Sequence, residues 1–178
     1  MNKKPRRFAA AGTAAAALGI GAAAWASSPA SAAPALIGRC APGQLAVWVN
    51  ADNIGAAAGS SYYHLDFTNT GTATCHLHGY PGVSAVNGAG AQLGDAASRD
   101  PVAAPRYVNI APGGTAHTIL QVASTDNYPA ARCEAVSAAR LKVYPPGDTG
   151  ARHAFYDLSS CSVKGARYLS VEVVQPGT

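Results

Sequence analysis

Tyr168-Leu169-Ser170-Val171-Glu172-Val173 alternates strictly, with Leu169, Val171 and Val173 on one side and Tyr168, Ser170 and Glu172 on the other. A period of two over this length is the pattern of a strand with one face buried. Working outward, the same rhythm recurs. Leu45, Val47 and Val49 alternate with Ala46 and Trp48, and Tyr63, Leu65 and Phe67 with Tyr62, His64 and Asp66. Cys75 and Leu77 alternate with His76 and His78; Val108/Ile110, Thr118/Leu120/Val122 and Leu141/Val143 follow. Between the runs lie Asn69-Thr70-Gly71, Asn87-Gly88, Pro112-Gly113-Gly114 and Pro145-Pro146-Gly147, all strong turn formers. No window keeps a helical period over three turns. The Ala-rich stretch from Pro129 to Ala139 allows one short helix or 3₁₀ turn. Asn87-Gly88 predicts a small hairpin, with an exposed loop after it up to Pro105. The expected fold is all-β: an immunoglobulin-like antiparallel β-sandwich of about seven to nine strands.

The chain has 178 residues, 48% hydrophobic and 12% charged, which fits one domain and excludes both a miniprotein and a disordered tail. Its formal charge of +4 is misleading. Lys3, Lys4, Arg6 and Arg7 supply four of the thirteen basic residues, and the nine that remain equal the nine acidic ones. A neutral domain without a basic run has no footprint for a phosphate backbone, so nucleic acid is not an expected partner.

Those four cations precede an uncharged stretch from Phe8 to Gly38, whose apolar part ends near Ala26 and leads to Ala30-Ser31-Ala32. These are the three parts of a secretory signal. Residues 1–32 are read as a signal peptide cleaved after Ala32, 33–39 as a short extension and 40–178 as the domain. The alternative is an uncleaved membrane anchor, which Ala and Gly disfavour because they stabilise an inserted helix poorly; no stable membrane insertion is expected after cleavage. Arg39 before Cys40 argues against lipid attachment there. Arg6-Arg7 hints at the twin-arginine route, though the residues around it fit that signal badly.

Cys40, Cys75, Cys133 and Cys161 are four cysteines in an exported chain and read as two disulfides. A Cys₄ zinc site is the rival, but no pair has the usual close spacing. Cys40 begins the first strand, and Cys75 follows the turn that ends the second. If those strands are antiparallel neighbours, the two cysteines lie side by side. Cys133 and Cys161 lead to the Leu141 and Leu169 strands, and three successive strands would bring them to one end. The expected pairing is therefore Cys40–Cys75 and Cys133–Cys161.

The search for chemistry is mostly negative. There is no Gly-x-Ser-x-Gly, no His-Glu-x-x-His and no phosphate-cradling loop. Serines and histidines are scattered, and a triad is defined by geometry. One constellation is notable. His76 and His78 share a strand face, and the preceding strand carries His64 and Asp66. If the two strands form a direct hairpin, His64 opposes His78 and Asp66 opposes His76, a set suited to copper or zinc. If the Asn-Thr-Gly turn crosses to another sheet, the set dissolves. A glycan platform is a further option, from Trp48 with Tyr62, Tyr80 and Tyr168 at polar-face positions.

The segments Phe67-Thr68-Asn69-Thr70-Gly71, Cys75 and Gly79-Tyr80-Pro81-Gly82-Val83 carry a family resemblance. Leu93-Gly94, Arg99, Ala111-Pro112-Gly113-Gly114-Thr115-Ala116, Leu141-Lys142-Val143-Tyr144-Pro145-Pro146-Gly147 and Gln175-Pro176-Gly177 continue it in order. From Cys40 to Gly177 the chain resembles a secreted actinobacterial family catalogued as domain of unknown function 4232. The resemblance implies an exported β-sandwich with two disulfides, often on or beyond the cell membrane. It implies no reaction, cofactor or catalytic residue. The physics of Gly79, Tyr80, Pro81 and Gly82 is structural: Pro81 keeps Tyr80 extended, the glycines ease a bend, and Tyr80 packs over the corner.

The functional expectation is a non-catalytic, exported binding or structural module. It is a monomer without cofactor, at the cell envelope or in the medium, with an unknown envelope or extracellular ligand. The alternatives are a secreted copper or zinc protein, or metalloenzyme, using His64, His76 and His78, and a protease inhibitor acting through an exposed loop.

Overall fold

The computed structural model describes residues 36–177. The leader, its cleavage point and the start of the 33–39 extension lie outside them. A 3₁₀ turn, Pro42–Gln44, leads into β1 (Leu45–Ala57) and β2 (Ser60–Asn69), which form a long hairpin. Then come β3 (Cys75–His78), β4 (Gly82–Val86), β5 (Gln92–Leu93), β6 (Ser98–Arg99), β7 (Tyr107–Ile110) and β8 (Thr115–Ala123). A one-turn helix, α1 (Ala130–Cys133), precedes β9 (Ala135–Ala138), β10 (Arg140–Tyr144), β11 (Arg152–Ala154), β12 (Leu158–Cys161), β13 (Leu169–Val171) and β14 (Gln175–Pro176).

The main sheet has the order β1-β2-β8-β13-β6, with β14 also on β8; a second sheet runs β11-β10-β4-β5. Two small pairs, β3–β7 and β9–β12, complete the set. Every pairing is antiparallel except β6 with β13. The all-β, sandwich-like expectation holds. The described residues contain fourteen strands rather than seven to nine, because bends cut the edges into pieces of two to four residues.

Alternation decides which faces meet. In β8, Ala116, Thr118, Leu120 and Val122 point inward, and every residue between them is half-exposed.

 In β10, Leu141 and Val143 do the same. One core results: Leu65, Phe67 and Leu120 of the main sheet meet Val83, Ala85, Leu141 and Val143 of the second. Fully burying a side chain of this size is worth about 1.5–3 kcal/mol, so this alternation is the main reason the chain adopts the fold.

Asn69 ends β2 and is fully buried. Its Nδ2 donates to the carbonyls of Ala73 and Ile110, both at 2.9 Å, and its Oδ1 accepts from the Gly71 amide at 2.9 Å. Its backbone donates to Gly114 O and accepts from Gly113 N. One side chain thus ties the Asn69-Thr70-Gly71 turn to the Pro112-Gly113-Gly114 turn.

The disulfides are Cys40–Cys75 and Cys133–Cys161, as expected. The first follows from the β1–β2 hairpin, in which Leu45 pairs with Asn69. The second has a different cause from the one expected. β10 and β13 lie in different sheets. Cys133 closes α1, and Cys161 lies opposite Ala135 in the β9–β12 ladder. The Ala-rich stretch holds one helical turn, and then Glu134, at φ 46°, redirects the chain into β9. Asn87-Gly88 forms the expected hairpin, with Val86 opposite Gln92, and the segment from Pro101 to Tyr107 is continuously exposed.

Gly79, Tyr80 and Pro81 carry the chain from β3 to β4, that is, from one sheet to another. Gly79 has φ 105°, which favours glycine. Tyr80 lies under the guanidinium of Arg99, 5.7 Å from its ring centre. Tyr168 corrects the reading of the last strand. It is buried, and its hydroxyl donates to Leu93 O at 3.1 Å. Gly94 makes room for it: at φ 62°, a Cβ there would sit 2.6 Å from the Tyr168 ring.

Candidate functional site

The histidines do not assemble as the hairpin reading required. The turn after β2 crosses to another sheet: β2 pairs with β1 and β8, and β3 pairs with β7. His64 and Asp66 therefore stand apart from His76 and His78. On the outer face of the main sheet, Asp66 lies opposite His117, and the His64 ring stacks on His117 at 4.2 Å. Burial pushes the Asp66 carboxyl above its ordinary range, against the pull of His64 and a hydrogen bond from Asn50. Burial, then the neighbouring His64, lowers His117. Trp48 is exposed on this face and its indole N–H donates to Thr68 Oγ1 at 3.3 Å. Among the described residues, no three of His, Cys, Asp and Glu gather in a way that could hold a metal.

The aromatic platform also fails to form. Tyr168 is in the core, Tyr80 sits at the β3–β4 corner, and only Tyr62 shares the outer face with Trp48.

A different site lies beside the second disulfide. A cleft of about 550 Å³ opens between α1 and the loop joining β12 to β13. Tyr128, Arg132, Lys164, Gly165 and Arg167 line it, with Asp95 as the single carboxylate. Cys133–Cys161 brings the two segments together, so Arg132 beside one cysteine faces Lys164 beyond the other. The Gly165 amide donates to Asp95 Oδ1 at 3.0 Å, and Tyr128 Oη donates to Arg167 O at 2.8 Å. The first ties the loop to the β5–β6 connection, and the second ties its far end to the segment just before α1.

Charge in the cleft is unbalanced. Arg167 Nε lies 3.5 Å from Asp95 Oδ2, the one ion pair among the described residues. Arg132 and Lys164 have no acidic partner there. Exposed ion pairs are worth little, about 0–1 kcal/mol, so Asp95 neutralises the cleft only weakly. The arrangement offers two free cations, an aromatic wall and a fixed loop, which suits an anionic group. Tyr128 also lines a smaller cleft of about 300 Å³ that carries Asp126 and Glu134. The two clefts that share Tyr128 thus differ in the sign of their charged residues.

None of the cleft residues emerged from the sequence motifs. One signal was present: each cysteine of the second pair has a cation close by, at Arg132 and Lys164. Pairing the cysteines pairs the cations.

No curated protein and no solved structure matches the chain. A family model does, over residues 40–175, which is most of the chain and both disulfides. The segments that end β2, turn from β3 to β4 and surround Gly94 lie within that match, and the chain belongs to the family described as Domain of unknown function (DUF4232).

Proposed function

We propose that the chain is an exported, non-catalytic binding module whose basic cleft takes an anionic group of an envelope or extracellular molecule. The observation that carries this reading is the pair of unpartnered cations, Arg132 and Lys164, held around one cleft by a disulfide. Export is supported by the leader pattern and by the two disulfides, which persist in oxidising compartments. No helix among the described residues is long and apolar enough to cross a membrane.

Calorimetric titration of the untagged protein at low salt tests the cleft. Inorganic phosphate and a soluble phosphodiester polymer are the two ligands. Binding that weakens with added salt, and at least tenfold in Arg132→Gln/Lys164→Gln, supports the reading. Absence of binding, or equal binding by the variant, overturns it. Intact mass of protein from the culture medium tests export, and a mass that includes residues 1–32 would contradict cleavage after Ala32.

A second reading, a protease inhibitor, draws on one observation. Residues 101–107 are all exposed, carry Pro101 and Pro105, and are anchored by the bond from Asp100 N to Val171 O at one end and by β7 at the other. Two prolines restrict such a loop to extended conformations. Inhibition of a subtilisin-like protease, lost on deleting Val102–Ala104, would favour it over the anion site.

A further inference from the structure

We propose that the outward face of β3 binds one copper(II) ion through His76 and His78, with zinc bound more weakly. This site is independent of the basic cleft and does not involve His64.

The strand sets the geometry. Cys75 and Leu77 are buried, so His76 and His78 both point away from the core. Residues two apart on a strand are separated by about 6.6 Å, and two imidazoles can converge from that distance on one ion at roughly 2.0–2.1 Å from each nitrogen.

The protonation of His76 is set by its partner. Its Nδ1 lies 3.0 Å from the carbonyl oxygen of Ile37. A carbonyl only accepts, so Nδ1 donates this bond and Nε2 is the nitrogen that faces away from it, available to an ion. A second nitrogen donated to a backbone carbonyl is the arrangement that orients metal-binding imidazoles. His78 is exposed and its side chain makes no hydrogen bond, so no protein group competes with an ion for its nitrogens.

Tyr107 gathers the two rings. It lies directly opposite His78 in the β3–β7 ladder and is 70% exposed. Its ring centre is 4.5 Å from that of His78 and 4.9 Å from that of His76. Both imidazoles therefore pack on one aromatic neighbour on the same outward face.

The platform is stiff. Cys75, next to His76, is bonded to Cys40. Cys40 N donates to His76 O at 3.0 Å, and His76 N donates to Gly38 O at 2.9 Å. One edge of β3 is thus held by residues 38–40 and the other by β7. Among the described residues no third His, Cys, Asp or Glu joins the pair, so water fills the remaining positions and the ion exchanges readily. Two neutral nitrogens with open positions favour copper(II) over zinc in the usual order of divalent affinities.

The test is copper(II) titration of the untagged protein, followed by calorimetry and electron paramagnetic resonance, with zinc in parallel. The expected result is one saturable site, hyperfine structure from two imidazole nitrogens, and amide signal broadening centred on β3. His78→Gln, at an exposed position, should keep the fold by circular dichroism and weaken copper at least tenfold; His76→Gln should do the same. His64→Gln/His117→Gln should leave it unchanged. Copper affinity in the His76 and His78 variants unchanged from the parent protein, broadening centred on His117 or the N-terminus, or no saturable site, would overturn the proposal.

Discussion

The two disulfide-bonded ends of this molecule are built alike and finished differently. Both bridges join residues close in sequence, 35 and 28 apart, and all four cysteines are buried. Around Cys40–Cys75 the polar groups of the turns and of the segment entering β1 are consumed. Asn69 satisfies two carbonyls and an amide, Thr70 Oγ1 donates to Gln44 O, and Arg39 donates to Gly147 O. Around Cys133–Cys161 polar groups are left over: two cations without partners, and a β9 strand exposed over three of its four residues. The same covalent device closes a corner at one end and frames an opening at the other. Burial explains the difference. A polar group inside must be satisfied, whereas a rim group can be kept for a partner.

The largest expected effect comes from removing each bridge in turn. Replacing Cys40 and Cys75 by alanine, or Cys133 and Cys161, should each cost about 3.5–4 kcal/mol by the chain-entropy model, measured by urea unfolding. The comparison sharpens in binding: loss of the second bridge should abolish phosphate binding in protein that is still folded, and loss of the first should spare it. If both leave binding intact, the second bridge does not frame the site.

Asn69→Ala comes next. It strands two carbonyls and an amide in the interior, and each such loss costs about 1–3 kcal/mol, so a destabilisation of roughly 3 kcal/mol is expected from the urea midpoint. In contrast, Arg132→Gln/Lys164→Gln should change stability by less than about 0.5 kcal/mol, the usual range for surface positions. A large loss there would mean that the cleft is structural after all.

The smallest effect is on pH dependence. His117 sits below its ordinary value of 6.5 in the folded protein, so the unfolded chain takes up that proton first. Its contribution is complete above pH 6.5 and is lost as pH falls toward the lowered value. Asp66 sits above its ordinary 3.8, so the folded protein protonates first, and the stability this adds is complete below pH 3.8 and lost as pH rises through the raised value. Melting temperature should therefore decline in mild acid through His117, and Asp66 should oppose further decline at lower pH. His117→Gln should remove the first change and Asp66→Asn the second.

The sheets were legible because burial writes itself into alternation: β8 could be read inside from outside residue by residue. The first disulfide was legible because a hairpin is local. Tyr168 was not. Its place in the core depends on the Leu93 carbonyl and on the missing side chain at Gly94, both far away in the chain. The cleft was equally hidden, since Arg132 and Lys164 become neighbours only through the bridge between them. The histidine set failed at one turn, where crossing to another sheet and continuing as a hairpin use the same residues.

The bridges also determine how the protein would respond to a pull on its two ends. Tension cannot enter a stretch closed by a covalent bond, so the segment between Cys40 and Cys75, with all of β1 and β2, is shielded, and so is that between Cys133 and Cys161. With about 3.3–3.6 Å of reach per residue, the oxidised chain would extend roughly 200 Å less than the reduced one before becoming taut. The redox state of the surroundings would thus set the length of the molecule under load.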